Sequence, residues 1–294
     1  MNRREFIAGV SATALAAWSG QISFAQNSES RLHIVVFWEE GFPSIDGFSF
    51  SRASLESAFK GHDLRFAGVA GLGAALDPKT DVFINPYGSA FPQSAWKSIL
   101  KYLLVGGNLV NLGGRPFSVP VGDDLKPRTP LTSYHKRLGI TQYFKTYGKD
   151  LERFIVKTDG ISIANPKRVF ESYLKLSTVN DFPDEAGSDG RREASVTPLA
   201  FGFKPGSTNE FPSTAPIVQI DRLRGDFAGG RWIFANFEGA IDAATIGTLV
   251  RTAAIGGHQI VARTRYARLG SDENPVVDFE LVAPKNDISV VAAT

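Results

Sequence analysis

Asp81 to Phe117 reads DVFINPYGSAFPQSAWKSILKYLLVGGNLVNLGGRPF, and the order of elements within it decides the fold. DVFINPY (81–87) is an apolar, β-branched run stopped by Pro86 and Gly88, which predicts a strand buried on both faces. Pro92 then opens a segment in which Trp96, Ile99, Leu100, Leu103 and Leu104 recur at helical spacing, closed by Gly106 and Gly107. NLVNL (108–112) follows as a further strand, and GGRPF leaves it. A strand, a helix and a strand in that order predict an open parallel sheet covered by helices.

The pattern extends in both directions. LHIVVFW (32–38) is a continuous apolar run, residues 50–60 place Phe50, Leu55 and Phe59 near one helical face, Gly61 stops that helix, and LRFAGVA (64–70) gives a weaker strand. After Pro120 the periodicity fades, and residues 121–215 hold polar runs such as NDFPDEAGSDGRREAS. This stretch is expected to be an insertion with structure of its own, since a loop of that length without any is unusual. APIVQIDRLRGDFAGGRWIFANFEG returns as two strands joined through Gly229 and Gly230, and a helix with Ile246, Leu249, Val250 and Ala253 on its apolar side follows. The expected class is therefore α/β, a doubly wound and mostly parallel sheet spanning residues 26–258. The tail, 259–294, alternates with a period of two in VARTRYARL and NPVVDFELVAP, and ISVVAA (288–293) is a third short run. These strands either pack on the body, pair with another chain, or begin a β-sandwich.

The 294 residues are 43% hydrophobic and carry 32 Lys and Arg against 30 Asp and Glu, a net charge of +2 without basic or acidic blocks. That balance argues against nucleic acid as a partner. There is no cysteine, which removes disulfides, thiolate metal sites and a thiol nucleophile at once. The opening MNRREFIAGVSATALAAWSGQISFAQ resembles a twin-arginine export signal: Arg3 and Arg4 precede a mildly apolar stretch, and Ser23-Phe24-Ala25 suits cleavage after Ala25. Its apolar run is too short to stay in a bilayer. The expectation is a signal over residues 1–25, no membrane association after its removal, and a periplasmic or secreted address.

Chemistry is expected at the carboxyl edge of the sheet, where strand ends converge on a crevice. FWEEGFPSID after the first strand, PYGSAFP after the third and GGRPF after the fourth are the loaded ends. Trp38, Phe42, Tyr87 and Phe91 offer flat apolar faces there, and Glu39, Glu40, Asp46, Ser89 and Arg115 offer hydrogen bonds. Aromatic platforms beside a few polar groups suit a sugar ring. The competing assignment packs the aromatics under the loops and uses Asp46 and Ser49 as caps for the helix near Ser51. His33, His62, His135 and His258 are scattered without ligand spacing, so no metal is expected. GVAGLGAAL (68–76) lacks the third glycine of a dinucleotide loop and follows the second strand, so no nucleotide cofactor is expected.

The run DVFINPYGSAFP, the Trp-bearing helix and GGNLVNLGGRPF together resemble the class I glutamine amidotransferase-like fold, a flavodoxin-like architecture. They most resemble the cysteine-free version attached to bacterial glycoside hydrolases, as in the β-galactosidase trimerisation domain. The resemblance covers Leu32 to about Pro120 and Ala215 to Gly257. It implies a nucleophile on the turn after NLVNL and a His-x-Glu after a later strand. Here the turn is Leu112, Gly113 and Gly114, and the later strand offers Asn236, Phe237 and Glu238, so only Glu238 matches. Amide transfer lacks both nucleophile and base.

Two functions remain. One is a non-catalytic module of an exported carbohydrate-active protein that binds saccharide or docks a glycoside hydrolase partner, with self-association left open. The other is a glycoside hydrolase using two of Glu39, Glu40, Asp46 and Glu238, which must stand about 5 to 9.5 Å apart across the bond. Glu39 and Glu40 are adjacent and on an extended segment point to opposite sides.

Overall fold

The computed structural model describes residues 31–46, 48, 50–140, 145–147, 150–170, 194–208, 214–223, 225–256, 261–266 and 277–282. The segment read as an export signal, the run ISVVAA and His258 lie outside the described residues. The chain divides into Met1–Arg31 and Leu32–Thr294, and the architecture below is that of the second unit.

The chain begins with β1 (His33–Phe37), α1 (Arg52–Ala58), β2 (Asp63–Ala67), α2 (Leu72–Ala75), β3 (Val82–Asn85) and β4 (Ala90–Pro92). It continues with α3 (Trp96–Leu104), β5 (Asn108–Leu112), β6 (Val119–Val121), α4 (Thr132–Arg137), β7 (Lys145–Tyr147), β8 (Arg153–Val156) and β9 (Ala164–Phe170). The remaining elements are β10 (Ala194–Phe203), β11 (Thr214–Arg222), β12 (Arg231–Ala235), β13 (Phe237–Ala240), α5 (Ala243–Gly256), β14 (Val261–Tyr266) and β15 (Val277–Val282).

Eight strands form the central sheet in the order β2-β1-β3-β5-β12-β11-β10-β8. β2, β1, β3, β5 and β12 are mutually parallel, whereas β11, β10 and β8 join by antiparallel pairing. The sheet is therefore mixed, which corrects the expectation of a mostly parallel one. The physical reason lies in the segments that build the second half. β8 and β10 come from the stretch whose periodicity is broken, and register shifts fall between Pro198 and Ala200 and between Ala200 and Gly202. A proline removes a ladder donor and is tolerated at such irregularities. β11 and β12 are joined by a short turn in which Gly229 (φ 92°) donates to Arg222 O and Arg222 donates to Gly230 O, and so short a link permits only an antiparallel pair.

Both faces of the parallel half are buried, and the alternation of side chains assigns each residue to a face. Ile34, Val36, Val82, Ile84, Val110 and Ile233 pack with Leu55 and Phe59 from the α1 region and with Ile246, Leu249, Val250 and Ala253 of α5. Val35, Phe37, Phe83, Leu109, Trp232 and Phe234 pack with Leu72 of α2 and with Ile99, Tyr102 and Leu103 of α3. The α3 stripe is rotated from its expected position: Tyr102 is buried in it, its hydroxyl donating to Asn108 O, while Leu104 is exposed. Smaller sheets are formed besides the central one: β13-β9-β7, the pair β4-β6 and the antiparallel pair β14-β15 from the tail. Among the described residues, no helix is long and apolar enough to cross a membrane.

α1 starts at Ser51, whose hydroxyl accepts from Ser54 N while Ser54 Oγ accepts from Ser51 N. This capping box displaces the expected cap. Asp46 serves elsewhere, as the next subsection shows.

Candidate functional site

The segment after β1 turns over the carboxyl edge of the sheet and is fixed there by Tyr87, which follows β3. The Tyr87 hydroxyl accepts from Glu39 N (3.1 Å) and donates to Glu39 O (3.0 Å). Burial pushes the Tyr87 phenol above its ordinary pKa, so it remains an O–H donor at neutral pH. Tyr87 is itself placed by Asn85, whose Oδ1 accepts from Tyr87 N (3.3 Å).

Asn85 and Asn111 sit opposite one another at the ends of β3 and β5. Asn85 Nδ2 faces Asn111 Oδ1 (2.9 Å), Ala90 O (3.1 Å) and Gly88 O (3.2 Å), and Asn111 Nδ2 donates to Gly113 O (2.7 Å). Both side chains are fully buried, so this amide pair holds the loops after β3 and β5 together. The sequence reading did not single these residues out. The available signal was a carboxamide near the end of each of two otherwise apolar strands, FIN and LVN.

A cleft of about 510 Å³ opens between the segment after β1 and the turn after β3, lined by Trp38, Glu39, Glu40, Phe42, Phe50 and Tyr87 together with Phe48, Arg52 and Pro86. Phe42 and Tyr87 belong to a buried cluster, with ring centroids 4.7 Å apart, and each also meets Phe37. Trp38 is half-buried, its ring 6.1 Å from Tyr87 at a 38° tilt, and Phe50 is likewise half-buried. Glu40 is exposed. Glu39 Oε2 accepts from Val69 N (2.8 Å), an approach that needs glycine at position 68, where a Cβ would come within 2.5 Å of that oxygen.

The other expected site residues fall elsewhere. Phe91 is fully buried among Tyr134, Trp96 and Phe117, with centroid distances of 4.9, 5.5 and 5.6 Å, so it belongs to the core beside α3. Ser89 is buried, and its N–H donates to Asp46 Oδ1 (2.9 Å). Asp46 therefore ties the first loop to the turn after β3 instead of capping α1. It also crosses the turn after β5 closely: a Cβ at Gly114 (φ 45°) would lie 2.0 Å from Asp46 Oδ1. Arg115 lies on the same turn. Glu238 stands opposite Arg168 in the β13–β9 pairing and forms an ion pair with it. The cleft thus gathers Trp38, Glu39, Glu40, Phe42 and Tyr87, and its lining does not include Asp46, Ser89, Phe91, Arg115 or Glu238.

Burial raises the Asp46 carboxyl above its ordinary pKa, against opposite pulls from Ser89, Arg115 and Arg168. A folded-state pKa above the unfolded one means that ionisation weakens the fold: the contribution is favourable below 3.8 and is lost as pH rises through the folded value. Asp46→Asn is accordingly expected to be more stable than the parent at pH 7, the advantage shrinking as pH falls toward 3.8. Urea unfolding of both proteins across that range measures it.

The position after β5 is occupied by Gly113 and Gly114, at φ 94° and 45°, and that after β12 by buried Asn236. Neither offers a side chain that can attack or activate. No protein-family model matches the chain, and no curated protein matches it. Among solved structures the chain is similar to the β-galactosidase of Bacillus circulans sp. alkalophilus, at 10% identity and a TM-score of 0.41, covering 80% of this chain and 34% of that one. It is similar to the cold-adapted β-galactosidase of Rahnella sp. R3, at 11% identity and a TM-score of 0.38, covering 76% and 31%. A GH42 β-galactosidase of G. stearothermophilus gives 9% identity and a TM-score of 0.39, covering 79% and 33%. The chain spans about a third of the length of each of these structures.

Proposed function

We propose that this chain is a non-catalytic, amidotransferase-like module of an exported carbohydrate-active protein, and that it binds saccharide in the cleft after β1. The observation that carries this reading is the cleft's composition. Half-buried Trp38 and Phe50 line the cleft with Tyr87, and Glu39 and Glu40 line it with them. Aromatic faces shed water onto the apolar face of a sugar ring, and carboxylate oxygens accept from its hydroxyls. Concave sites with few, fixed polar groups are the usual form of small-ligand sites.

The carboxylates are suited to holding and poorly suited to catalysis. Glu39 is tied to Val69 N–H, and Glu238 is paired with Arg168. Asp46, the one carboxyl among the described residues that burial pushes toward the neutral form, is engaged with Ser89 away from the cleft. Export is supported by the paired Arg3 and Arg4 and the small residues up to Ala25. Docking to a glycoside hydrolase partner through the same carboxyl-edge loops is the other form of this reading.

Calorimetric titration with mono- and oligosaccharides tests it. Trp38→Ala is expected to weaken saccharide binding by about tenfold or more, since loss of an aromatic contact in a desolvated pocket costs about 1 to 3 kcal/mol. Trp38 also packs on the core beside Phe66, so binding is measured at a temperature where the variant remains folded. Turnover of aryl glycosides that is abolished in Glu39→Gln or Glu40→Gln, without unfolding, would replace binding by hydrolysis as the function.

A further inference from the structure

We infer that the site takes an extended, uncharged glycan laid across Glu39, not a single sugar. This rests on the saccharide reading above and concerns a second cleft, of about 620 Å³, which shares Glu39 with the first. Glu39 lines both clefts. The lining of the second also includes Ala70, Ser94, Ser98, Asp123 and Leu125, from the loop after β2, the start of α3 and the turn after β6.

Glu39 is a fixed post between the two spaces. Its backbone is gripped on both sides by the Tyr87 hydroxyl, and its Oε2 is held by Val69 N–H over Gly68. The other oxygen, Oε1, is left to accept hydroxyls. Because the side chain is held before a ligand arrives, it contributes without a large ordering cost. A ligand held by Glu39 in one cleft therefore extends past it into the other.

The two clefts differ in a way that suits successive units of one chain. The first offers Trp38 and Phe50 as flat faces for one ring. The second offers no aromatic among its lining residues but a set of hydroxyl and carboxylate groups, with Ser94 Oγ donating to Asp123 Oδ1 (2.7 Å). That lining matches the hydroxyl rim of a neighbouring unit. Charge narrows the class further. Glu39 and Asp123 are the ionic groups lining the second cleft, and both are acidic. Arg52, the cation of the first cleft, is engaged by Glu56 Oε1 (3.0 Å) and lies 4.4 Å over the Phe66 ring. Uronate or sulfated chains would meet uncompensated carboxylates, so an uncharged chain is selected.

The experiment is a chain-length ladder on the full chain by titration calorimetry. Glucose to cellohexaose, xylose to xylohexaose and mannose to mannohexaose serve as uncharged probes, and galacturonic acid oligomers serve as the charged one. The expected result is an affinity that rises about tenfold or more between one unit and three in at least one uncharged series. Ala70→Trp, a change at an exposed position that fills the second cleft, is expected to bring the hexamer down to the affinity of the monomer. Circular dichroism and melting temperature show that this variant is folded, and Asp123→Lys repeats the test with a different kind of change. Saccharide binding with no gain in affinity with length in any uncharged series, or a hexamer affinity untouched by both variants, overturns the extended site and leaves the saccharide reading standing. Galacturonate oligomers binding as tightly as uncharged ones overturn the charge selection. No binding by any sugar of any length overturns the inference together with the reading beneath it.

Discussion

Between pH 6.5 and pH 4 the protein is expected to lose on the order of 3 kcal/mol of stability through a single histidine, His135. His135 lies in the short helix α4 and is 2% exposed. Burial, with the positive charges of Arg115 and Lys136 nearby, pushes its pKa down from 6.5 to about 4. The sign follows from which state takes the proton first. The unfolded chain binds it near 6.5 and the folded one only near 4, so stability is fully present above 6.5 and is lost as pH falls through that window. Below about 4 both states carry the proton and this contribution no longer changes. His135→Leu is expected to flatten the difference. Urea unfolding of parent and variant at half-unit steps from pH 7.5 to pH 4 measures it, and subtracting the two curves removes the carboxylates common to both. Two parallel curves would show that His135 is not responsible. Asp46 works in the opposite direction, so the two residues are separable by single substitution.

Asn85→Ala is the second large effect, and it acts on the fold and the cleft together. The substitution leaves Asn111 Oδ1, Ala90 O and Gly88 O without their shared donor and Tyr87 N without its acceptor, all in buried surroundings. A buried polar group without its partner costs about 1 to 3 kcal/mol, and several are exposed to that cost here, so a loss of about 3 kcal/mol is expected. Asn111→Ala alone should cost less, since it touches Asn85 and Gly113 O. Removing both is expected to cost less than the sum of the single losses, because the pair acts as a unit. Because Tyr87 carries the backbone of Glu39, Asn85→Ala should also weaken saccharide binding by several-fold, measured at a temperature where the variant remains folded. Additive losses, or unchanged binding, would show that the amide pair does not organise the loops.

The legibility of the molecule divides along the chain. Where apolar side chains recur with one period, as in HIVVF, NLVNL and RWIFA, the strands stand where periodicity places them. A strand buried on both faces can use only such residues, so its composition announces it. α5 likewise shows its buried face in Ile246, Leu249, Val250 and Ala253. The region after Pro120 gave no such signal, because β8 and β10 reach the sheet as later members with irregular register and mixed burial. Their pairing direction depends on which edge of an existing sheet is still open, and that is not a local property.

The site divides in the same manner. Trp38, Glu39, Glu40, Phe42 and Tyr87 are brought to one cleft as their positions at strand ends imply, because the carboxyl edge of parallel strands is a property of order and direction. Phe91, Ser89, Asp46, Arg115 and Glu238 share the same kind of address yet serve core, turn and ion pair. Which strand-end residue faces the cleft and which packs beneath it is set by neighbours distant in sequence: Trp96 and Tyr134 around Phe91, Gly114 against Asp46, Arg168 opposite Glu238.

By itself the sequence determined the α/β class, the central strands and the absence of any thiol, since each of these follows from composition and short-range periodicity. Only the tertiary structure decided that the sheet is mixed, that Asn85 and Asn111 bind the loops, and that Glu39 stands between two clefts. Those features arise from contacts between residues tens of positions apart, and the free energy of such contacts depends on burial and geometry that no local pattern encodes.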